Sequence, residues 1–191
     1  MESPAPDHAV SRARALAAVS IGALFFAFAF LHRVAPSVMT AELMRDFAVG
    51  GAALGTLSAW YFYAYASIQL PVGMLNDRFG PRKLMSAAVA VCALGSFGFA
   101  LSETVLAASF FRAIIGASVA FAFLGALTIA GYWFAPSRFA MLAGAIQAMG
   151  MLGAMLGQAP LRYAVEMFGW RATVGAMGLV AIALAASLWL I

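Results

Sequence analysis

Long apolar stretches constrain this chain more than any other feature of its sequence. They are separated only by short polar breaks. A helix of about 20 apolar residues crosses the hydrocarbon layer of a bilayer. No water is available there to bond backbone N–H and C=O groups, so a spanning segment is a helix or part of a closed barrel. The two-residue alternation of barrel strands is absent from the sequence. We therefore predict an all-α integral membrane protein.

The composition excludes a soluble globular domain. Hydrophobic residues make up 65% of the chain and charged residues 9%, whereas about 25% charged residues is normal for soluble domains. We predict a polar cytoplasmic tail at 1–14 and one six-helix transmembrane bundle at 15–191. The expected spans are 15–39, 52–75, 84–102, 104–134, 140–163 and 171–190.

Basic residues fall unevenly on the two sides of this predicted bundle. The tail and the even-numbered loops carry Arg12, Arg14, Arg78, Arg82, Lys83 and Arg138, and the opposite side carries Arg45, Arg162 and Arg171. Cytoplasmic loops of membrane proteins are enriched in Lys and Arg, so we expect the N-terminus in the cytoplasm. The basic residues are scattered, which argues against a nucleic-acid partner, because such binding needs a concentrated basic face.

Residues 73–83 form a charged break with the sequence Gly-Met-Leu-Asn-Asp-Arg-Phe-Gly-Pro-Arg-Lys. The first glycine would permit close helix approach, and the second would take a positive φ where the chain reverses. The segment resembles the G-x-x-x-D-R-x-G-x-[RK] loop between helices 2 and 3 of the major facilitator superfamily. The matching positions are Gly73, Asp77, Arg78, Gly80 and Arg82.

This resemblance implies half of a secondary transporter that consists of two six-helix halves, each with two three-helix repeats. The chain would be the N-terminal half. The resemblance also implies that the five matching residues latch the two halves together in one conformation and do not contact solute. From the residues alone, the alternative is a solvated basic loop.

Two arginines lie inside predicted spans, where a charge is costly and marks a functional candidate. Arg33 is near the end of span 1, and Arg112 is near the start of span 4. A rise of about 1.5 Å per residue puts both in the same half of the bilayer, where they would face one cavity. A guanidinium suits phosphate or carboxylate because its planar fork of donors stays protonated.

Both arginines lie in segments that resemble elements of the family. His32-Arg33 resembles helix 1 of the organophosphate antiporters and the anion:cation symporters, which implies that Arg33 binds the substrate anion. Residues 111–116 resemble the R-x-x-x-G element of helix 4, with Ile115 in place of the usual Gln. In the family, that arginine is linked to proton coupling and to anionic substrates. The alternative is that the side chains snorkel to the interface; His32 either titrates near neutral pH or is simply solvated.

Span 2 carries a polar stripe. Tyr61, Tyr65 and Gln69 recur every four residues, so they share one helix face and would offer hydrogen bonds to a solute. For Tyr61, an aromatic belt at the membrane interface is an equal alternative. In span 5, we expect Gln147 to be the polar contact.

Span 5 also carries small residues at a spacing that suits close helix packing. Gly153-x-x-x-Gly157 gives such a face, and Pro160 follows it. The run partly resembles helix 5 of the drug:proton antiporters, but packing explains it, so we do not infer drug export. Phe168-Gly-Trp-Arg171 resembles the family's start of helix 6 and supports the topology.

Every acidic residue falls on a tail, a loop or a span end: Glu2, Asp7, Glu42, Asp46, Asp77, Glu103 and Glu166. Proton coupling would then depend on a group at a span end, on His32 or on a second half. Two cavity arginines without a buried acid would instead suit exchange of one anion for another. No serine–histidine–acid set, metal-ligand cluster or phosphate-binding loop is present, so we expect no enzyme activity, no metal and no cofactor.

We predict secondary active transport of a small anionic organic solute by alternating access, with the solute bound between two halves. The expected partners are the lipid bilayer of a bacterial inner membrane, the solute, a proton or counter-anion, and a second six-helix half. The alternatives are a self-assembling half-transporter and a non-transporting accessory module. The sequence stops in Leu190-Ile191 without a polar exit, so we expect it to be truncated.

Overall fold

The computed structural model describes the backbone of residues 8–190 and the side chains of residues 14–190. Within that range, short connections join α1 (His8–Val38), α2 (Thr40–Phe47), α3 (Gly51–Phe79), α4 (Pro81–Ala100), α5 (Val105–Val119), α6 (Phe121–Trp133), α7 (Pro136–Leu156), α8 (Ala159–Phe168) and α9 (Trp170–Leu190). Residues 1–7 of the predicted polar tail lie outside the described residues. Residues 8–14 are helical and continue into α1, whose apolar stretch begins at Arg14. The cytoplasmic location of the tail stays a prediction.

Five helical stretches within the described residues are long and apolar enough to cross a membrane. They are α1 from Arg14 onward, α4, α5 with α6, α7 with α8, and α9. These stretches confirm the predicted all-α membrane class. Helix α3 has 29 residues, which is sufficient length, but Trp60, three tyrosines and Gln69 lower its hydropathy. A total of six crossings, as predicted, therefore requires that α3, which corresponds to predicted span 2, also crosses the membrane.

Two of the predicted spans are each built from two helices placed end to end. Ala120 separates α5 from α6, and Gly157 with Gln158 separates α7 from α8. Pro160 lies in the first turn of α8 and is exposed. A proline is tolerated there because its missing N–H would be unpaired in any case, so Pro160 marks the break and does not pack against a neighbouring helix.

Small residues let the helices approach closely. Helix α7 runs beside α1, and α3 runs beside α5. A Cβ atom at Gly153 would overlap the carbonyl group of Ala27, and one at Gly157 would overlap the side chain of Val34. Without a hydrophobic driving force between helices in lipid, such close backbone contact is a main source of helix association.

Two single-residue hinges reverse the chain between helices. Gly80 joins α3 to α4 with a φ of +77°, and Gly169 joins α8 to α9 with a φ of +81°. Residues with a side chain rarely adopt this backbone conformation, whereas glycine does so readily. The positive φ predicted for Gly80 is therefore present, and the second hinge repeats it.

Each hinge belongs to a Phe-Gly-x-Arg tetrapeptide whose arginine caps a neighbouring helix. Arg82 donates from Nε to the carbonyl of Trp189 at 3.1 Å, near the end of α9. Arg171 donates from Nη1 to the carbonyl of Ala100 at 2.8 Å, at the end of α4. The antiparallel helices α4 and α9 thus cap each other, and a cation at a helix C-terminus complements the helix dipole.

The contact at Gly153 predicts a position-specific cost of a single methyl group. We expect Gly153→Ala to lower the melting temperature of the purified protein in detergent, because overpacking costs about 1–3 kcal/mol. Gly144→Ala is the matched control on the same helix, since nothing lies within 4 Å of a Cβ there. Alanine favours a helix over glycine by about 1 kcal/mol, so this variant should be neutral or slightly more stable. Equal shifts for the two variants would contradict the packing.

Candidate functional site

A buried arginine lies where α1, α3, α4 and α5 meet, near the end of the bundle that carries α2 (the α2 end). Arg112 of α5 is 1% exposed. Its Nη1 donates to the carbonyl of His32 at 2.9 Å, and its guanidinium carbon lies 4.5 Å from the centre of the Tyr61 ring. Its Nε and Nη2 have no hydrogen-bond partner among the described residues. Arg112 is thus held by a carbonyl and an aromatic face.

Gly116 explains how Tyr61 comes to lie beside this arginine. It follows Arg112 by one turn of α5, and a Cβ atom there would overlap the backbone carbonyl of Tyr61. Tyr61 is 0% exposed and its hydroxyl donates to the carbonyl of Ala29 at 3.3 Å. This burial excludes the aromatic belt as the location of Tyr61.

The tyrosines connect the buried arginine to the second predicted arginine. The rings of Tyr61 and Tyr65 are parallel within 8°, with centres 6.3 Å apart. The guanidinium carbon of Arg33 lies 5.1 Å from the centre of Tyr65 and 4.6 Å from that of Phe30. The side chains therefore follow one another in the order Arg112, Tyr61, Tyr65, Arg33, which we call the Arg–Tyr stack.

Arg33 also lines a cavity of about 320 Å³ between α1, α2 and α3. The lining residues are Arg33, Pro36, Ser37, Thr40, Leu43, Gly51, Leu54, Gly55, Leu57, Ser58 and Phe62. Arg33 is half-buried, and its Nε has no partner among the described residues. Arg112 is not in this lining, so a solute in the cavity would contact Arg33 directly and Arg112 only through the tyrosines. A cavity of about 440 Å³ lies elsewhere, around Leu16, Trp133 and Arg138, away from the stack.

The other predicted polar residues lie in different surroundings. His32 is 2% exposed, with its ring edge-on to Phe28 at 4.6 Å and Nε2 at 3.4 Å from the hydroxyl of Ser96. A solvated interfacial histidine is therefore excluded. Gln69 is exposed and Gln147 is half-buried, so neither belongs to the buried stack.

The 73–83 segment differs from the predicted loop. Helix α3 continues to Phe79, so Asp77 and Arg78 are exposed residues of its last turn. A Cβ atom at Gly73 would lie 4.0 Å from Leu124, an ordinary contact, so glycine is not needed there for close approach within this chain. The sequence analysis missed Asn76, which is buried and donates from Nδ2 to the hydroxyl of Thr128 at 3.2 Å.

The sequence analysis also missed a polar network at the α2 end. Arg162 of α8 donates from Nη1 to Glu42 Oε1 at 2.8 Å and to the carbonyl of Val38 at 2.9 Å. The indole Nε1 of Trp170 donates to Asp46 Oδ2 at 2.8 Å. These acids were interpreted only as loop charges, and the arginines only as topology signals, because their partners are more than 100 positions away in the chain.

Asp46 stays ionised at neutral pH in this setting. The hydrogen bond from Trp170, aided by the bond from Arg45 and the charges of Arg45 and Arg171, holds the pKa of the Asp46 carboxyl below its ordinary value, although partial desolvation acts against this. A carboxyl with a lowered pKa contributes stability at neutral pH, which is lost only as pH falls through the folded-state pKa. Its contact with Trp170 therefore persists across the physiological range.

The sequence of this chain is similar to those of known proteins. Residues 15–191 match the Major Facilitator Superfamily. An uncharacterized transporter, YybO of Bacillus subtilis, is 26% identical over 84% of this chain and 37% of its own length. The probable sulfoacetate transporter SauU of Cupriavidus necator is 23% identical over 83% of this chain and 37% of its own. The probable galactarate/D-glucarate transporter GudP of Bacillus subtilis is 24% identical over 84% and 36%.

The chain therefore spans little more than a third of the length of these relatives. The family match nevertheless covers all but the first 14 residues, and it agrees with the resemblance found in the 73–83 segment. The chain belongs to the Major Facilitator Superfamily.

Proposed function

We propose that the protein containing this chain transports a small anionic organic solute across a cell membrane by alternating access. The observation that supports it most is Arg33, which lines a cavity and has a buried, unpartnered Nε among the described residues. A desolvated guanidinium is an effective receptor for a carboxylate, sulfonate or phosphate because it offers parallel donors in a fixed plane. Two of the relatives, a probable sulfoacetate transporter and a probable galactarate/D-glucarate transporter, are named for solutes of the same class.

In this proposal, the predicted site residues have different roles. Arg33 contacts the anion, and Arg112 with Tyr61 and Tyr65 fixes the position of Arg33 and adds positive potential. Gln69 and Gln147, which are exposed or half-buried, line the solute path towards a second half of the transporter.

The wider architecture is also part of the proposal. The bundle would be the N-terminal six-helix half with two three-helix repeats, and α3 would supply the crossing that brings the number to six. The protein would lie in a bacterial inner membrane, with the N-terminus of the chain in the cytoplasm. The similar hinges at Gly80 and Gly169 support the repeat. The latch would consist of Gly73, Asp77, Arg78, Gly80 and Arg82, of which Asp77 and Arg78 are exposed and free to meet the second half.

Replacement of Arg33 tests the solute class. In proteoliposomes with the full-length protein, we expect uptake of D-glucarate or sulfoacetate and no uptake of D-glucitol, the neutral counterpart of D-glucarate. Arg33→Gln should lower anion uptake at least roughly tenfold, because a hydrogen bond to a charged group is lost. Arg45→Gln is the control, since this side chain is 74% exposed and is not part of the cavity lining. Equal uptake of D-glucitol, or full activity of Arg33→Gln, would contradict the proposal.

Replacement of Arg112 tests the role of the stack. We expect Arg112→Lys to keep the charge but to lose most transport, because a lysine cannot combine the planar face over Tyr61 with a directed bond to the His32 carbonyl. The amount of protein in the membrane should stay near the wild-type level and is measured alongside uptake. Unimpaired transport by Arg112→Lys would remove Arg112 from the mechanism.

The charge balance predicts how transport is driven. Since Arg112 and Arg33 have no carboxylate partner among the described residues, we expect exchange of one anion for another. Uptake of labelled D-glucarate or sulfoacetate should then require unlabelled anion inside the vesicle and should survive a proton ionophore. Collapse of uptake with the proton gradient would show that a proton is the coupling ion.

A further inference from the structure

The short helix α2 carries two carboxylates on one face, and each is bound by a residue that comes from far along the chain. Glu42 and Asp46 are one helical turn apart, so their side chains are neighbours. Arg162 of α8 binds Glu42 at 2.8 Å. Trp170 of α9 binds Asp46 at 2.8 Å, and Arg171 Nε lies 3.9 Å from the same carboxylate.

The two arginines of this network each cap a helix C-terminus as well. Arg162 donates to the carbonyl of Val38, the last residue of α1. Arg171 donates to the carbonyls of Ala100 and Ser102 at the end of α4, at 2.8 and 2.7 Å. Helix α2 is therefore hydrogen-bonded through its carboxylates to α8 and α9, and such charge-assisted bonds are roughly twice as strong as neutral ones. Arg162 extends this connection to α1, and Arg171, which lies 3.9 Å from Asp46, extends it to α4. We call Glu42, Asp46, Arg162, Trp170 and Arg171 the α2 clamp.

Helix α2 is also a wall of the Arg33 cavity. Thr40 and Leu43 line that cavity, together with Gly51 and Leu54 from the start of α3. Leu43 is fully buried. Because α2 forms part of this wall, a displacement of α2 would move Thr40 and Leu43 and so change the width of the cavity.

We propose that the α2 clamp positions the wall of the anion site. Its members are positioning residues and do not touch the solute. The inference rests on the proposed function in so far as it names an anion site. Glu42 Oε2 is buried and has no hydrogen-bond partner among the described residues. Without Arg162, α2 would therefore carry an unpaired carboxylate in a partly buried position, which is strongly unfavourable and would displace the helix.

Amide hydrogen exchange of the full-length protein tests the clamp without any solute. We expect amides of α2 to exchange roughly tenfold faster in Glu42→Ala and in Asp46→Ala, as expected from the loss of a hydrogen bond to a charged group. The matched control is Arg45→Ala, which removes a charge from the same helix but breaks only an exposed ion pair with Asp46. Such pairs contribute little, so its exchange should equal that of the wild type. Unchanged exchange in both clamp variants would overturn the inference.

Transport kinetics then test the link to the site, with D-glucarate or sulfoacetate as the probe. We expect Glu42→Ala and Asp46→Ala to raise KM roughly tenfold with little change in maximal rate. Arg162→Gln should raise KM more than Glu42→Ala does, because it leaves Glu42 unpaired, and the double variant Glu42→Ala with Arg162→Gln should recover to the level of Glu42→Ala. Faster exchange with an unchanged KM would show a clamp that does not position the site, which overturns the inference. Absence of anion uptake by the wild-type protein would instead be a failure of the proposed function, and the exchange experiment would still decide whether the clamp exists.

Discussion

The burial of the Arg112 guanidinium is the constraint on which the surrounding helices depend. Transfer of a charge from water into a protein interior costs several kcal/mol after relaxation. Here the compensation comes from a carbonyl of α1 and from the ring face of Tyr61 on α3. The π face of an aromatic ring attracts a cation, and more strongly when both are removed from water. Three helices must therefore keep their register, and Gly116 is the residue that lets α3 come close enough.

The Arg–Tyr stack extends this constraint from the buried interior to the cavity wall. Arg112 and Arg33 carry like charges, separated by two tyrosine rings that each face one guanidinium. No carboxylate among the described residues pairs with either arginine, so the positive potential at Arg33 is not cancelled by them. An anion in the cavity would relieve that imbalance, whereas a neutral solute would not. This is the physical reason that the proposal specifies charge before it specifies a particular compound.

The sequence was sufficient to predict a helical membrane protein and to place the two arginines at a similar depth along the bundle. The apolar stretches required membrane helices, and helical rise placed Arg33 and Arg112 at the same depth, where the structure brings Arg112 to the residue preceding Arg33. The burial of Tyr61 was not predictable, because a tyrosine stripe fits a belt and a cavity equally well. The difference depends on Gly116, whose contact with α3 is a tertiary feature. The α2 clamp was missed for a similar reason: Glu42 and Asp46 look like loop charges until α8 and α9 bring their partners to them.

The charges of the described chain follow two different patterns, and this division fits a rigid bundle that receives an anion. At the α2 end, Arg162 pairs with Glu42, and Asp46 accepts hydrogen bonds from Arg45 and Trp170. Arg162 and Arg171 also cap helix ends. At the opposite end, Arg82 caps α9. In the interior, Arg112 remains a cation without a carboxylate partner among the described residues. The hydrogen bonds that these arginines make at both ends connect neighbouring helices, which would suit a half that moves as one body in alternating access. Arg112 itself is buried and does not line the cavity, so in the proposed mechanism its charge would act on a solute only as added positive potential behind Arg33. An acid placed beside either guanidinium would remove the preference for an anion.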